Sequence, residues 1–172
     1  MNARRVVVAL LTSLGIAALA WPSLHTSVAR IIYNPSDSVP PGWYRIDPPD
    51  SLHVGSIVLA RLPADAAALA AQRGYLPART PLLKRIGAMS PQQVCIEQHI
   101  VRIDGMAVTS VQATDGRGRP LSAWRQCRRL HDGEMFLLSA TNPTSFDSRY
   151  FGPVATSAVI GSAQPLWTCG TP

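Results

Sequence analysis

Hydrophobicity along the chain changes character after residue 24. From Val6 to Leu24 the sequence is uncharged and predominantly apolar, and Arg4-Arg5 stand directly before it. As a helix rising about 1.5 Å per residue, that run would cross roughly 28 Å of hydrocarbon, close to a bilayer core. Trp21-Pro22 suits an anchor ending at the membrane interface, whereas Ala18-Leu19-Ala20 suits removal as a signal peptide, and retention is the favoured reading. The two arginines hold the N-terminus on the cytoplasmic side, so everything after about His25 is expected outside the cytoplasm.

Beyond that point the apolar positions come in short β-type runs separated by Pro, Gly and Asp. Val28–Tyr33, Trp43–Ile46, Gly55–Arg61, Ile100–Ile103, Met106–Val108, Met135–Ala140 and Ser157–Gly161 read as strands, and Val94–Val101 is β-favouring throughout. Asp104-Gly105 is a hairpin turn signal, because both residues tolerate a positive φ. Ala64–Arg73 is the one helical pattern of this part, begun by Pro63 and ended by Gly74. Pro35, Pro40, Pro41 and Gly42 break the chain so heavily that no regular element passes between Asn34 and Tyr44. A Gly- and Arg-rich loop spans Thr114 to Pro120. The chain therefore reads as a mainly β domain with one short helix over residues 26–172, preceded by an N-terminal transmembrane helix within 1–25. At 172 residues it has room for one hydrophobic core and not two.

A formal charge of +6 and a pI near 9.9 call for an anionic neighbour. Nucleic acid is not expected: the arginines are scattered, aromatics make up only 6%, and no basic helix carries stacking side chains. Anionic lipid head groups are the simpler partner, with the densest run, Arg125-Gln126-Cys127-Arg128-Arg129, read as a solvated face. Outside the cytoplasm, Cys95, Cys127 and Cys169 allow one disulfide with one cysteine left over. Cys95 with Cys127 is the expected pair, because Cys169 lies near the end, where chains are poorly ordered. A metal site is the rival, since Cys95 and His99 repeat the spacing of Cys127 and His131; in a strand, residues four apart are roughly 13 Å from each other, and no metal is expected.

Lys84 is the single lysine among sixteen basic residues, and it stands in the apolar run Pro81-Leu82-Leu83-Lys84-Arg85-Ile86-Gly87. Arginine keeps its charge in essentially any site, whereas a buried lysine can lose its proton and act as a base. A serine hydroxyl needs such a base, and Ser36 and Ser38 lie in the proline-punctuated turn. None of His25, His53, His99 or His131 has a triad setting, and no Gly-x-Ser-x-Gly elbow exists. A Ser-Lys dyad needs fewer parts.

Four segments in order resemble the boxes of type I signal peptidases of the S26 family: Asn34-Pro35-Ser36-Asp37-Ser38-Val39-Pro40, Gly55-Ser56-Ile57-Val58, Leu83-Lys84-Arg85-Ile86-Gly87, and Ser145-Phe146-Asp147-Ser148-Arg149-Tyr150-Phe151-Gly152. The small size and the Asn-x-Ser-x-Ser-x-Pro-x-Gly-x-Tyr pattern from Asn34 to Tyr44 look most similar to the conjugative-transfer branch, the TraF-type peptidases that mature pilin precursors. The resemblance implies a signal-peptidase-like β-fold, with Ser38 as nucleophile and Lys84 as general base. It implies Ser36 and the Ser38 amide as the oxyanion hole, Ser145 as the group that orients the lysine, and Asp147 with Arg149 as a structural support. No cofactor is implied. The implied substrate is a pilin or other exported precursor, in the company of conjugation-machinery proteins, and the implied place is the inner membrane with a periplasmic catalytic domain, or the periplasm if the first segment is cleaved. A general signal peptidase and a non-catalytic membrane-anchored component of a secretion channel remain as alternatives. Two departures favour a specialised substrate: Val39 stands where housekeeping enzymes carry methionine, and the lead-in to the last box is shortened to Ala140-Thr141-Asn142-Pro143-Thr144. The large second β-domain of the longest members has little room here.

Overall fold

A computed structural model of the chain describes residues 3–24, 31–139 and 141–169. In chain order its elements are helix α1 (Ala3–Leu24); strands β1 (Ile31–Asn34), β2 (Gly42–Asp47) and β3 (Ile57–Ala60); helix α2 (Ala64–Arg73); strands β4 (Leu82–Met89), β5 (Gln93–Glu97), β6 (Ile100–Ile103), β7 (Met106–Ser110), β8 (Cys127–Arg129) and β9 (Glu134–Leu138); helix α3 (Ser148–Phe151); and strands β10 (Val154–Ala155) and β11 (Val159–Thr168). The fold is mainly β. Its larger sheet has seven antiparallel strands in the order β1-β2-β11-β3-β4-β9-β10, and a second sheet of four runs β7-β6-β5-β8.

The apolar N-terminal segment is helical over 22 residues in α1. Among the described residues no helix is long and apolar enough to cross a membrane. The expected boundary at residues 25 and 26 and the start of the first strand, Val28 to Arg30, lie outside the described residues, as does Ala140 at the end of another.

Alternation builds the core of the larger sheet. Along β2, Tyr44 and Ile46 are buried while Trp43 and Arg45 face outward, and Tyr44 packs with Val39, Leu59 and Leu83. β9 is buried along most of its length because it serves two sides: Met135 and Leu137 pack with Val58 and Ile86, while Phe136 and Leu138 pack with Val94 and Val101 of the smaller sheet. Each such side chain contributes about 1.5–3 kcal/mol of transfer free energy, so β9 joins the two sheets in one hydrophobic core. The small sheet occupies the place between β4 and β9 where a large second domain had no room.

The structure departs from the sequence reading at three elements and at Cys169. Val94–Val101 is two strands, not one, because Gln98 and His99 take φ values of 50° and 67° and make the tight turn between β5 and β6. β11 continues to Thr168, well past Gly161. It includes Pro165, tolerated because β3 pairs only as far as Ser162 and leaves that flank of β11 without a ladder. Cys169 is accordingly ordered, and its amide donates to the Pro41 carbonyl at 2.8 Å. Lastly, Asp147 caps a second short helix, α3, by accepting from the Arg149 amide.

The expected Asp104-Gly105 turn is present, with φ values of 49° and 83°. Cys95 faces Cys127 across β5 and β8 and the two form a disulfide, while Cys169 is free and exposed. Among the described residues Cys95, Glu97 and Cys127 form the one cluster of metal-ligating types, and the disulfide consumes both sulfurs. The arginine-rich run is partly neutralised: Arg128 donates to both carboxylate oxygens of Glu134, at 2.7 and 3.0 Å, and lies over the Trp124 ring.

Gly42 opens β2 with φ 149°, directly against β11. A Cβ there would strike the Trp167 carbonyl oxygen and lie 2.6 Å from the Thr168 Cα, both rigid backbone. Gly42→Ala is expected to destabilise the domain by about 2 kcal/mol, seen as a fall of roughly 4–8 °C in thermal midpoint. A melt within one degree of wild type would contradict this.

Candidate active site

The loop between β1 and β2 is held from inside by one side chain. Asn34, buried at the end of β1, accepts the Ser36 amide at 3.2 Å and the Ser36 hydroxyl at 2.8 Å, and its amide nitrogen donates to the carbonyls of Ser36 (2.7 Å) and Val39 (3.1 Å). Tyr44 adds a 2.6 Å bond to the Pro40 carbonyl, and the Val39 side chain sinks into the core. The loop thus has no freedom to swing, and it presents Ser38, 8 % exposed. The Ser38 Oγ lies 3.0 Å from the Ser36 Oγ and 3.5 Å from the carbonyl of Leu83. Because Ser36 gives its one hydroxyl proton to Asn34, Ser38 is the donor between the two serines.

Lys84 lies on β4 opposite Val58 of β3. Gly55 and Ser56 fix this pairing, as the Gly55 amide donates to the Ile86 carbonyl and the Ile86 amide to the Ser56 carbonyl, each at 2.8 Å. Lys84 is only 2 % exposed. Burial pushes its pKa down from the ordinary 10.5 to about 8; the Asp147 carboxylate works against that fall, Arg149 reinforces it, and Asp37 opposes it. The amine donates to the Ser145 hydroxyl.

Ser145 is held in turn by the pair behind it. Asp147 and Arg149 are fully buried and joined through two contacts, Arg149 Nε to Oδ1 at 2.7 Å and Nη2 to Oδ2 at 2.8 Å. The three remaining Arg149 protons are shared among the carbonyls of Ser145 (2.9 Å), Pro143 (2.9 Å), Asn142 (3.2 Å) and Ser110 (2.9 Å), so one guanidinium ties down the loop that carries Ser145. Asp147 also accepts the Ser139 amide at 3.0 Å. The far end of that loop meets the serine loop, where Asn142 donates to the Asp37 carboxylate and Thr141 to the Asp37 carbonyl.

Ser36, Ser38, Lys84 and Ser145 line one cavity of about 500 Å³. Among the described residues no hydrogen bond joins the Ser38 Oγ to the Lys84 amine, whose proton is directed at Ser145. His53, His99 and His131 do not line this cavity. What the arrangement offers chemically is a hydroxyl on a rigid turn in the same cavity as an amine that loses its proton near pH 8.

A model of the family described as signal peptidase, peptidase S26, matches residues 3–167. This chain belongs to the peptidase S26 family. Among its relatives it is 34% identical over 145 residues to a conjugal transfer protein TraF of Agrobacterium tumefaciens, covering 78% of this chain and 81% of that one. It is 32% identical over 173 residues to a probable conjugal transfer protein TraF of Sinorhizobium fredii, covering 90% and 88%. A signal peptidase I of Enterococcus faecalis aligns with 66% of this chain and 97% of its own, at 18% identity and a TM-score of 0.41.

In this S26 family member three residues that had no role in the sequence reading complete the site: Asn34, Tyr44 and Asn142. Asn34 carries a local signal, since an Asn two residues before a Ser is set up for a side-chain turn. The contact of Asn142 carries none, because it joins positions that only folding brings together, whereas Tyr44 reaches only four residues back to Pro40 and ends the Asn-x-Ser-x-Ser-x-Pro-x-Gly-x-Tyr pattern.

Proposed function

We propose that the chain is a membrane-anchored serine endopeptidase that processes a pilin precursor for conjugative transfer. The observation that carries this reading is the burial of the single lysine in the same cavity as Ser36, Ser38 and Ser145. The neutral Lys84 amine takes the Ser38 proton as the Oγ attacks the scissile carbonyl, after a small reorientation of the amine from Ser145. The oxyanion is met by the Ser38 amide and by the Ser36 hydroxyl, which turns from Asn34 to do so. As the tetrahedral intermediate collapses, the carbon–nitrogen bond breaks, Lys84 returns its proton to the departing amine, and an ester to Ser38 remains. Water resolves that ester into a trimmed acid; attack by the precursor's own N-terminal amine resolves it into a ring. The step uses no cofactor.

Substrate enters as an extended strand along the open edge of β1, where backbone pairing supplies affinity. In this reading the apolar segment that follows Arg4-Arg5 tethers the chain at the inner membrane and the β domain stands in the periplasm. Tyr33, Trp43 and Trp167 support this arrangement: they occupy paired positions on β1, β2 and β11, share one face, and are all exposed. Such an aromatic row suits a lipid head-group region. The conjugal transfer names of the relatives favour a dedicated role over a general signal peptidase, which the family description by itself would equally fit.

The test incubates membranes bearing wild type or Ser38→Ala with a candidate pilin precursor and weighs the product. Trimming by wild type and none by Ser38→Ala is the expected result, and a mass one water below the trimmed linear peptide marks ring closure. Equal processing by both would leave a non-catalytic channel component as the better account. Loss of bulk secretion, instead of conjugation alone, on deleting the gene would transfer the assignment to a general signal peptidase.

A further inference from the structure

Two cavities of opposite character meet at Ser36 and Ser38. One, of about 710 Å³, is mainly apolar, walled by residues such as Ile32, Leu59, Leu76 and Leu83 beside the open β1 edge. The other is the cavity of about 500 Å³ already described, and its far wall is cationic: Arg73 at the end of α2, with Arg117 and Arg119 from the loop between Thr114 and Pro120. Peptidase chemistry at Ser38 requires none of these arginines.

The loop is built rigidly for its size. Thr114 pairs with Pro120, and the Asp115 carboxylate accepts the amides of Arg117 and Arg119, each at 2.9 Å, the Arg119 Nε at 2.7 Å, and the Tyr75 hydroxyl. Burial works to raise the pKa of Asp115, but these hydrogen bonds hold it well below the usual carboxylate range. Tyr75 packs on Phe146, the residue after Ser145, so the loop is braced against the catalytic wall. Arg119 is occupied by Asp115, by the Arg73 carbonyl and by the Tyr75 ring, while Arg73 reaches Tyr75 and Asp115. Asp37, the other carboxylate on this cavity, is engaged by Asn142. Arg117 is left over: its backbone amide is fixed by Asp115, its side chain is exposed, and among the described residues its guanidinium has no hydrogen-bond or ion-pair partner.

The geometry points to Arg117 as a specificity residue that binds a carboxylate of the substrate, on the side of the scissile bond away from the apolar cavity. This rests on the peptidase reading above. A fixed backbone, a free guanidinium and a concave wall around it meet the needs of carboxylate recognition, and the neighbouring cations keep the local potential positive. The carboxylate is supplied by an Asp or Glu side chain or by a substrate chain that ends close to the cut.

Short fluorescence-quenched peptides with one small-residue cleavage motif distinguish these sources. One set carries Glu, Gln or Lys at each position on either side of the bond; another ends in a free carboxylate or an amide. Wild type is expected to cleave the best carboxylate peptide with a kcat/KM roughly tenfold above its neutral partner, the effect of one charge-assisted hydrogen bond. Arg117→Glu is expected to invert the order and prefer the Lys peptide, its fold confirmed by an unchanged melt. The same peptides titrated onto inactive Ser38→Ala should show the tenfold preference in Kd. Equal cleavage or binding of carboxylate and neutral peptides by wild type overturns the inference while leaving the peptidase intact. If no peptide is cleaved but the Kd preference is present, the peptidase reading fails and the carboxylate site stands.

Discussion

Replacing Arg149 with methionine is expected to destabilise the domain by about 3–5 kcal/mol, the usual result of leaving one partner of a buried ion pair alone. Asp147 would keep a carboxylate with no exposure to water, and the carbonyls of Ser110, Asn142, Pro143 and Ser145 would each lose a donor. Adding Asp147→Asn should recover part of the loss, because the stranded charge is gone while the empty carbonyls remain. Urea unfolding of the two single variants and the double variant closes that cycle, and a loss below about 1 kcal/mol for Arg149→Met would show the pair to be dispensable. Activity should respond in a separate way. Arg149 helps to lower the Lys84 pKa and Asp147 works to raise it, so removing the arginine alone should move the rate profile to higher pH.

Lys84→Met should trade activity for stability. The folded lysine releases its proton near pH 8, whereas the unfolded chain holds it to about 10.5. Between those values the unfolded state binds more protons, so stability rises with pH across the window. Below about pH 8 the burden is fully present and amounts to roughly 3 kcal/mol; above about 10.5 it has gone. Methionine removes the burden but leaves the Ser145 hydroxyl without its donor, a loss of about 1 kcal/mol. The variant should therefore be more stable than wild type by about 2 kcal/mol at pH 7, with the gap closing as pH rises and reversing to about 1 kcal/mol in favour of wild type above about pH 10.5. Its turnover should fall by about 10²–10⁴-fold, the usual contribution of a general base. Wild-type activity should climb with pH to half its maximum near 8. Paired urea melts at several pH values and a rate profile measure both sides, and a variant that is no more stable at pH 7 yet still cleaves would refute the role of Lys84.

Much of this molecule could be read without coordinates. Ser38 and Lys84 stood out as candidates because proline-heavy turns and a lone lysine among leucines are local facts, written in neighbouring letters. The Asp104-Gly105 turn and helix α2 were visible for the same reason, since φ preference and end signals belong to single residues. Val94–Val101 misled because Val and Ile at both ends favour a strand and only the cross-strand match of β5 with β6 sets a turn at Gln98 and His99. β11 was cut short because Pro165 reads as a break unless the free flank of that strand is known.

The sequence by itself determined a mainly β domain, the proline-framed serine loop, and the single lysine among apolar neighbours, because each follows from side-chain periodicity or residue type. Tertiary structure alone decided that Arg149 holds four backbone carbonyls, that Asn142 reaches Asp37 across more than a hundred residues of chain, and that the Arg117 guanidinium on the cavity wall has no partner among the described residues. Burial and hydrogen-bond partners are properties of which segments meet, and that is settled only when β4 pairs between β3 and β9 and the loop carrying Ser145 meets the lysine.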